Sequence, residues 1–393
     1  MNLEGPWRTV LAALDPGVDG SAPAIGSGSW HVLFGGRQRP LLMLEGSYPL
    51  QEKCLSYFVR GRLNTLYAKT LLRANALFPS AGFLPRLKGP EPAGINAVRN
   101  HGFPESPYAA IQIGTTGPFQ KASMLFMSEQ GDGLALAKLA MTDTADPMIE
   151  CEAGWLRRLA TVEELSDYIP VVLDEGIASS GRRYLVMTLA PGTAATRQFT
   201  PAHAKFLAVL GRSQLHETRF GESECFQYLT RTLTQLKPYV PPSRIAEFAA
   251  ALDDCANAIG SWSGPHVVAH GDFAPWNVCF NHQQVFVFDW EYAAAGANAI
   301  ADFLHYFLIQ RALSKRPIRD AQLARVLAKA REFAGNVYPE WQWDGNVISG
   351  LTLAYLLQVM LHYSWASKRF TADHPVIREY GRLLARRSEW WTT

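Results

Sequence analysis

The run His270-Gly271-Asp272-Phe273-Ala274-Pro275-Trp276-Asn277, followed by Asp289-Trp290-Glu291, holds the side chains with the most chemistry in the chain. Its form is H-G-D-x-x-x-x-N. A carboxylate and an amide stand five residues apart, and more carboxylates follow a short apolar stretch. Each residue alone reads as a turn or cap residue; the joint arrangement reads as a reaction centre. Magnesium prefers oxygen ligands and is usually shared between one or two protein groups and nucleotide phosphates. On that chemistry Asp289 is the carboxylate ligand and Asn277 the amide ligand. Asp272 accepts or orients the proton of an attacking hydroxyl, His270 organises the loop through hydrogen bonds, and Gly271 permits its sharp backbone. These are the parts for moving a phosphoryl group from a nucleotide to an acceptor hydroxyl.

Local elements must bring those groups together. Residues 265–269 read as a short strand entering the loop. Residues 278–280 and 285–288 are apolar β runs, with Asn281-His282-Gln283-Gln284 as a four-residue hairpin loop. A turn centred between His282 and Gln283 sets Asn277 opposite Phe288. Asn277 and Asp289 then emerge at one open end, with Asp272 on the adjoining loop.

A second group lies upstream. The strand 134–139 carries Lys138 on an inward face, where an unpaired ammonium is costly. The helix starting near Pro147 offers a partner, because Met148, Glu152, Trp155 and Leu159 share one helix face. Glu152 interrupts that apolar stripe, whereas the rival Glu150 lies off it. A strand lysine paired with a helix glutamate suits the positioning of nucleotide phosphates. The segment 114–121 contains Gly114, Thr115, Thr116 and Gly117 between two strands. Thr115, Thr116 and backbone amides are its phosphate-contact candidates, although it is neither G-x-G-x-x-G nor a Walker A loop.

Together these residues resemble the aminoglycoside phosphotransferase and choline kinase superfamily over roughly residues 105–390. The resemblance implies an α+β, two-lobed protein-kinase-like fold: an antiparallel N-lobe with one helix, and a mainly helical C-lobe carrying the catalytic hairpin. It implies Asp272 as catalytic base, and Asn277 and Asp289 as magnesium ligands. Glu291 matches a less uniform position, magnesium-linked or structural, and Asp302 after Gly296 matches a structural Asp. It implies the Lys138–Glu152 pair on the opposite wall of a cleft. Backbone groups from Thr188 through Leu189 to Ala190 would meet the nucleotide base, with Met187 beside them. The implied cofactors are ATP, with GTP as the alternative, and Mg²⁺; the implied partner is a small-molecule hydroxyl acceptor.

The organisation expected is an N-terminal accessory α/β region over 1–100, a nucleotide-binding N-lobe over 101–192 and a catalytic C-lobe over 193–393. In the accessory region strands at 30–34 and 41–44 and a helix over 55–77 precede a turn-rich linker, 79–107. N-lobe strands fall at 109–113, 121–127, 134–139 and 184–189. From residue 200 the pattern is helical, interrupted by the one hairpin.

Composition bounds the alternatives. The 393 residues suffice for two or three domains, and the chain is 48% hydrophobic and 18% charged, so a sizeable core is available. A net charge of +2 makes no case for nucleic acid. Five scattered cysteines and no secretory pattern predict reduced thiols and a cytoplasmic protein. The apolar run 347–365 carries Ser349, Thr352, Gln358 and His362, which predicts a buried helix and no membrane span. Within 303–370, Asp320, Glu332, Glu340 and Asp344 are outnumbered by Arg311, Lys315, Arg316, Arg319, Arg325, Lys329 and Arg331. That disfavours a polycationic aminoglycoside and favours a neutral or anionic acceptor such as a sugar. The competing readings are a pseudokinase or nucleotide-binding regulatory module, an aminoglycoside-modifying resistance enzyme and a protein kinase. The pattern leaves the oligomeric state open.

Overall fold

Alternating burial along extended segments builds the first unit, which takes in the described residues up to Arg158 together with Pro170–Leu189. The structure is a computed structural model. It describes residues 27–35, 39–58, 62–81, 84, 86–90, 108–178, 180–190, 193–194, 198–281 and 283–391. Eight strands, β1 (Ser27–Gly35), β2 (Arg39–Leu44), β3 (Arg86–Pro90), β4 (Tyr108–Ile113), β5 (Lys121–Met127), β6 (Gly133–Ala140), β7 (Val172–Ile177) and β8 (Arg183–Thr188), form one sheet. Their order is β3-β1-β2-β4-β5-β6-β8-β7, and every neighbouring pair is antiparallel.

The period-two rule sorts the side chains. Leu42, Ile111, Met124, Phe126, Ala137 and Val186 belong to one buried cluster. Leu41, Met43, Ala110, Leu125 and Met127 belong to a second, packed with Cys54 and Leu55 of α1 (Tyr48–Phe58) and with Ala68 and Leu72 of α2 (Arg62–Leu77). The boundary expected at residue 100 therefore falls inside one unit. Leu42 pairs with Ile111 across β2 and β4, and the accessory helices cover β4 and β5. Helix α3 (Asp146–Leu159) is the helix expected in the N-lobe.

The second unit takes in Leu159–Ile169 and the described residues from Ala190 onward. It is mainly helical: α4 (Pro201–Ser213), α5 (Glu224–Leu236), α6 (Pro242–Ile259), α7 (Ala301–Leu313), α8 (Asp320–Val337), α9 (Gly345–Ser367) and α10 (Pro375–Ala385). Two small sheets interrupt the helices. One has the order β10 (His216–Arg219), β11 (Ser263–Ala269), β14 (Ala294–Asn298). The other has the order β13 (Gln284–Val287), β12 (Val278–Asn281), β9 (Thr193–Ala194). An antiparallel sheet unit followed by a helical unit is the α+β, protein-kinase-like division expected.

Helix α9 is long and apolar enough to cross a membrane, with a mean hydropathy of 1.3, yet 78% of that stretch is buried inside the protein. Its buried hydroxyls are satisfied along the helix, Thr352 donating to the Ile348 carbonyl and Ser364 to the Met360 carbonyl. Asp344 caps its first turn by accepting from the Val347 N–H. It is the core helix the sequence suggested. Strands β10 and β14 were not expected. The first is polar and the second is Ala-Ala-Gly-Ala-Asn, so neither carries strand propensity.

Candidate active site

Strand β11 is buried from Gly264 onward and delivers the chain to His270. Gly271 takes φ +82°, and a Cβ there would overlap the Tyr292 carbonyl. Both features exclude other residues from the turn. Asp302, near the start of α7, accepts from the His270 N–H at 2.6 Å and the Gly271 N–H at 3.0 Å. Burial pushes the Asp302 carboxyl above its ordinary pKa, against the pull of His270 and these two N–H groups. The structural role expected of Asp302 is thus a clamp on the loop.

His270 also has its role defined by its partners. Nε2 lies 3.0 Å from the Phe288 carbonyl, which only accepts, so Nε2 carries the proton. Nδ1 then accepts from the Asp272 N–H at 3.2 Å. Beneath the loop Phe273 stacks on Phe206 at 5.7 Å, and Trp290 meets the His270 ring at 4.7 Å. Trp290 donates its indole N–H to the Val287 carbonyl. Aromatic packing fixes the loop from below.

The hairpin register is the expected one. Val278 pairs with Val287 and Asn281 with Gln284, and the Phe288 N–H donates to the Asn277 carbonyl at 3.1 Å. The strands run one residue further than expected at the turn, leaving a two-residue connection in place of four. Asn277 donates through Nδ2 to the Asp272 carbonyl at 2.9 Å and to Asp272 Oδ2 at 2.8 Å. Asp289 adopts φ +74°, a left-handed backbone uncommon outside glycine and tolerated by Asp. Such conformations cluster at functional sites.

The donor set suits a hard cation. The Asn277 amide nitrogen is committed to Asp272, which turns its oxygen the other way. Carboxylate oxygens of Asp289 and Glu291 lie within 4.8 Å of one another. An amide oxygen with two carboxylates is the oxygen chemistry Mg²⁺ takes.

The structure adds residues that sequence reasoning missed. His305 Nε2 sits 2.8 Å from Asp272 Oδ1, and its Nδ1 lies 3.2 Å from the Tyr355 hydroxyl. The available signal was the spacing of Asp302 and His305, neighbours on one helix face. Tyr355 lies far along the chain on an apolar helix, where nothing marks its role.

In the first unit, Lys138 Nζ lies 2.7 Å from both Glu152 oxygens, with the side chains 9% and 0% exposed. Glu150 instead meets Arg183 at the surface. Thr115 and Thr116 are exposed in the β4–β5 turn. Met187 is buried in β8, and Leu189 lies over Gly133. Thr188 is spoken for: its N–H donates to the Val171 carbonyl, and its hydroxyl accepts from the Val171 N–H, both at 2.9 Å. Of the stretch expected to meet a nucleotide base, Thr188 thus spends its backbone donor within the sheet.

The chain matches the model of a family described as phosphotransferase enzyme family over residues 128–342. No curated protein matches the chain. Among solved structures it is similar to a thermostable mutant of the aminoglycoside phosphotransferase APH(4)-Ia in apo form, at 17% identity and a TM-score of 0.51, covering 72% of this chain and 95% of that one. A ternary complex of such a mutant with ADP and hygromycin B aligns at 14% identity and a TM-score of 0.50, covering 75% and 98%. An ethanolamine kinase from Plasmodium vivax aligns at 12% identity and a TM-score of 0.45, covering 87% and 94%. The matched family region spans more than half of the 393 residues and contains the whole run from His270 to Glu291, so the chain belongs to the phosphotransferase enzyme family.

Proposed function

We propose that this phosphotransferase is a small-molecule kinase that moves the γ-phosphoryl group of ATP to a hydroxyl of a small neutral acceptor, a sugar being the type compound. The observation that carries the reading is the Asp272 carboxylate, held on Oδ2 by Asn277 and on Oδ1 by His305. A carboxylate has about four lone-pair sites, so a hydroxyl can still be met after both bonds. Asp272 takes or orients the proton of that hydroxyl, and His270 and Asp302 keep the loop in shape. Asn277 and Asp289, with Glu291, would hold Mg²⁺, which when bound neutralises charge on the transferring phosphoryl group. Lys138, positioned by Glu152, would meet the nucleotide phosphates, with Thr115 and Thr116 as further contacts. Leu189 and Ala190 would meet the base beside Met187. The similar aminoglycoside phosphotransferase solved with ADP and hygromycin B supports a nucleotide donor and a small hydroxyl acceptor.

The acceptor class rests on the wall near Asp272. Tyr355, Gln358 and His362 of α9 share one helix face, and the Tyr292 ring packs on His362 at 4.9 Å. The Gln358 amide oxygen is buried without a partner among the described residues. Burial holds His362 below its ordinary pKa, which keeps the ring neutral. Tyrosine, glutamine and neutral histidine suit hydroxyl groups better than ammonium groups. The basic residues Lys315, Arg316, Arg319, Arg325, Lys329 and Arg331 are solvent-exposed, which weakens the case for an anionic acceptor.

Asp272→Ala should abolish ADP release in a screen of hydroxyl acceptors with MgATP while the protein stays folded. Unchanged turnover would remove Asp272 as base. The exposed Thr115–Thr116 turn, with no glycine-rich motif, favours one second reading, a nucleotide-binding regulatory module. Thermal stabilisation by MgATP without turnover of any acceptor would select it.

A further inference from the structure

His305 lies on α7, and its Nε2 sits 2.8 Å from Asp272 Oδ1. A carboxylate only accepts, so Nε2 carries a proton. In the neutral ring Nδ1 is then an acceptor, and the Tyr355 hydroxyl donates to it from 3.2 Å. Tyr355 in turn accepts from the Tyr380 hydroxyl at 2.9 Å. Every donor finds an acceptor along one direction.

The three side chains come from three helices, α7, α9 and α10, and are 5%, 2% and 0% exposed. Burying three polar groups in a helical core is costly unless all are satisfied. Here the chain of bonds ends on the one partly exposed member, Asp272. Burial raises both tyrosine hydroxyls far above their ordinary pKa, so they remain protonated donors.

We infer that Tyr380, Tyr355 and His305 form a hydrogen-bond relay that sets the plane of the Asp272 carboxylate, with His305 as a positioning residue. Asn277 holds one oxygen and His305 the other, so rotation about the Cβ–Cγ bond is blocked. The inference rests on Asp272 acting as the base.

The test compares wild type with Tyr355→Phe, His305→Leu and His305→Gln, the last placing an amide nitrogen near the position of Nε2. With MgATP and the acceptor that gives most ADP, or water if none does, kcat should fall about tenfold in Tyr355→Phe and about 100-fold in His305→Leu. KM for ATP should stay within about twofold, and His305→Gln should recover most of the loss. A parallel readout needs no turnover. Long-range ¹⁵N–¹H spectra of the imidazoles should show His305 protonated on Nε2 in both proteins, with the Nδ1 resonance moving downfield in Tyr355→Phe as that nitrogen loses its hydrogen-bond donor. An Nδ1 resonance that does not move in Tyr355→Phe overturns the relay. Unchanged kcat in folded His305→Leu overturns the positioning role. If the wild-type protein turns over ATP neither with any acceptor nor with water, the kinase reading fails, and the spectra still decide the relay.

Discussion

Lys138 and Glu152 show how one pair of charges reads at the residue scale. A lysine in mid-strand and a glutamate in an apolar helix stripe are each unfavourable alone, and both are buried, 2.7 Å apart. Breaking a buried pair leaves one uncompensated charge, at a cost of about 3–5 kcal/mol. Lys138→Met should lower urea-unfolding stability by about that much, because Glu152 is 0% exposed and loses the ammonium that faces both its oxygens. Adding Glu152→Leu should restore most of the stability. ATP affinity, followed by thermal shift, should not return with it. A double variant that binds ATP like wild type would leave the pair structural only.

At the scale of elements, the loop 270–277 depends on a turn and a clamp. Gly271 has φ +82° and no room for a Cβ beside the Tyr292 carbonyl. Gly271→Ala should cost about 1–3 kcal/mol from backbone strain, seen as a lower denaturation midpoint, and turnover should fall with it. Asp302→Ala removes the acceptor of two N–H groups, each worth about 1–3 kcal/mol when buried and unpaired. Its ADP release should drop more steeply than its folded fraction at 25 °C, since the clamp shapes the loop that carries Asp272. Equal losses in both measurements would reduce Asp302 to a packing residue. Hairpin register was legible because apolar β runs on either side of a polar turn permit one pairing. Strands β10 and β14 were not legible, because Ala-Ala-Gly-Ala-Asn becomes a strand only where β11 offers it an edge.

For the whole molecule the acid limit follows from buried histidines. Burial lowers His203 and His266 to about 4, and each is 0% exposed. The unfolded chain takes up these protons near the ordinary value of about 6.5, while the native state resists until about pH 4. Stability is therefore full above about pH 6.5 and is lost as pH falls below it, by on the order of 2 kcal/mol per histidine at pH 5. Urea melts at pH 7 and pH 5 should show that loss, and His266→Gln should remove about half of it. A pH-independent midpoint over this range would show that neither ring resists protonation. The domain plan at this scale depends on sheet pairing. Leu42 against Ile111 joins the accessory strands to the N-lobe sheet, and the two segments lie too far apart in sequence for local pattern to connect them.

Local spacing alone determined the grouping of the candidate site: Asp272, Asn277 and Asp289 lie within twenty residues of one another, and a hairpin of known period must bring them to one end. Side-chain period likewise determined that Lys138 and Glu152 face inward. Only the tertiary structure decided what holds those groups still. Asp302 and His305 reach the loop from α7, Tyr355 and Tyr380 stand behind His305 on α9 and α10, and Thr188 loses its backbone donor to Val171. Such contacts depend on how helices pack, and packing is set by the shape of the whole core, which no local spacing records.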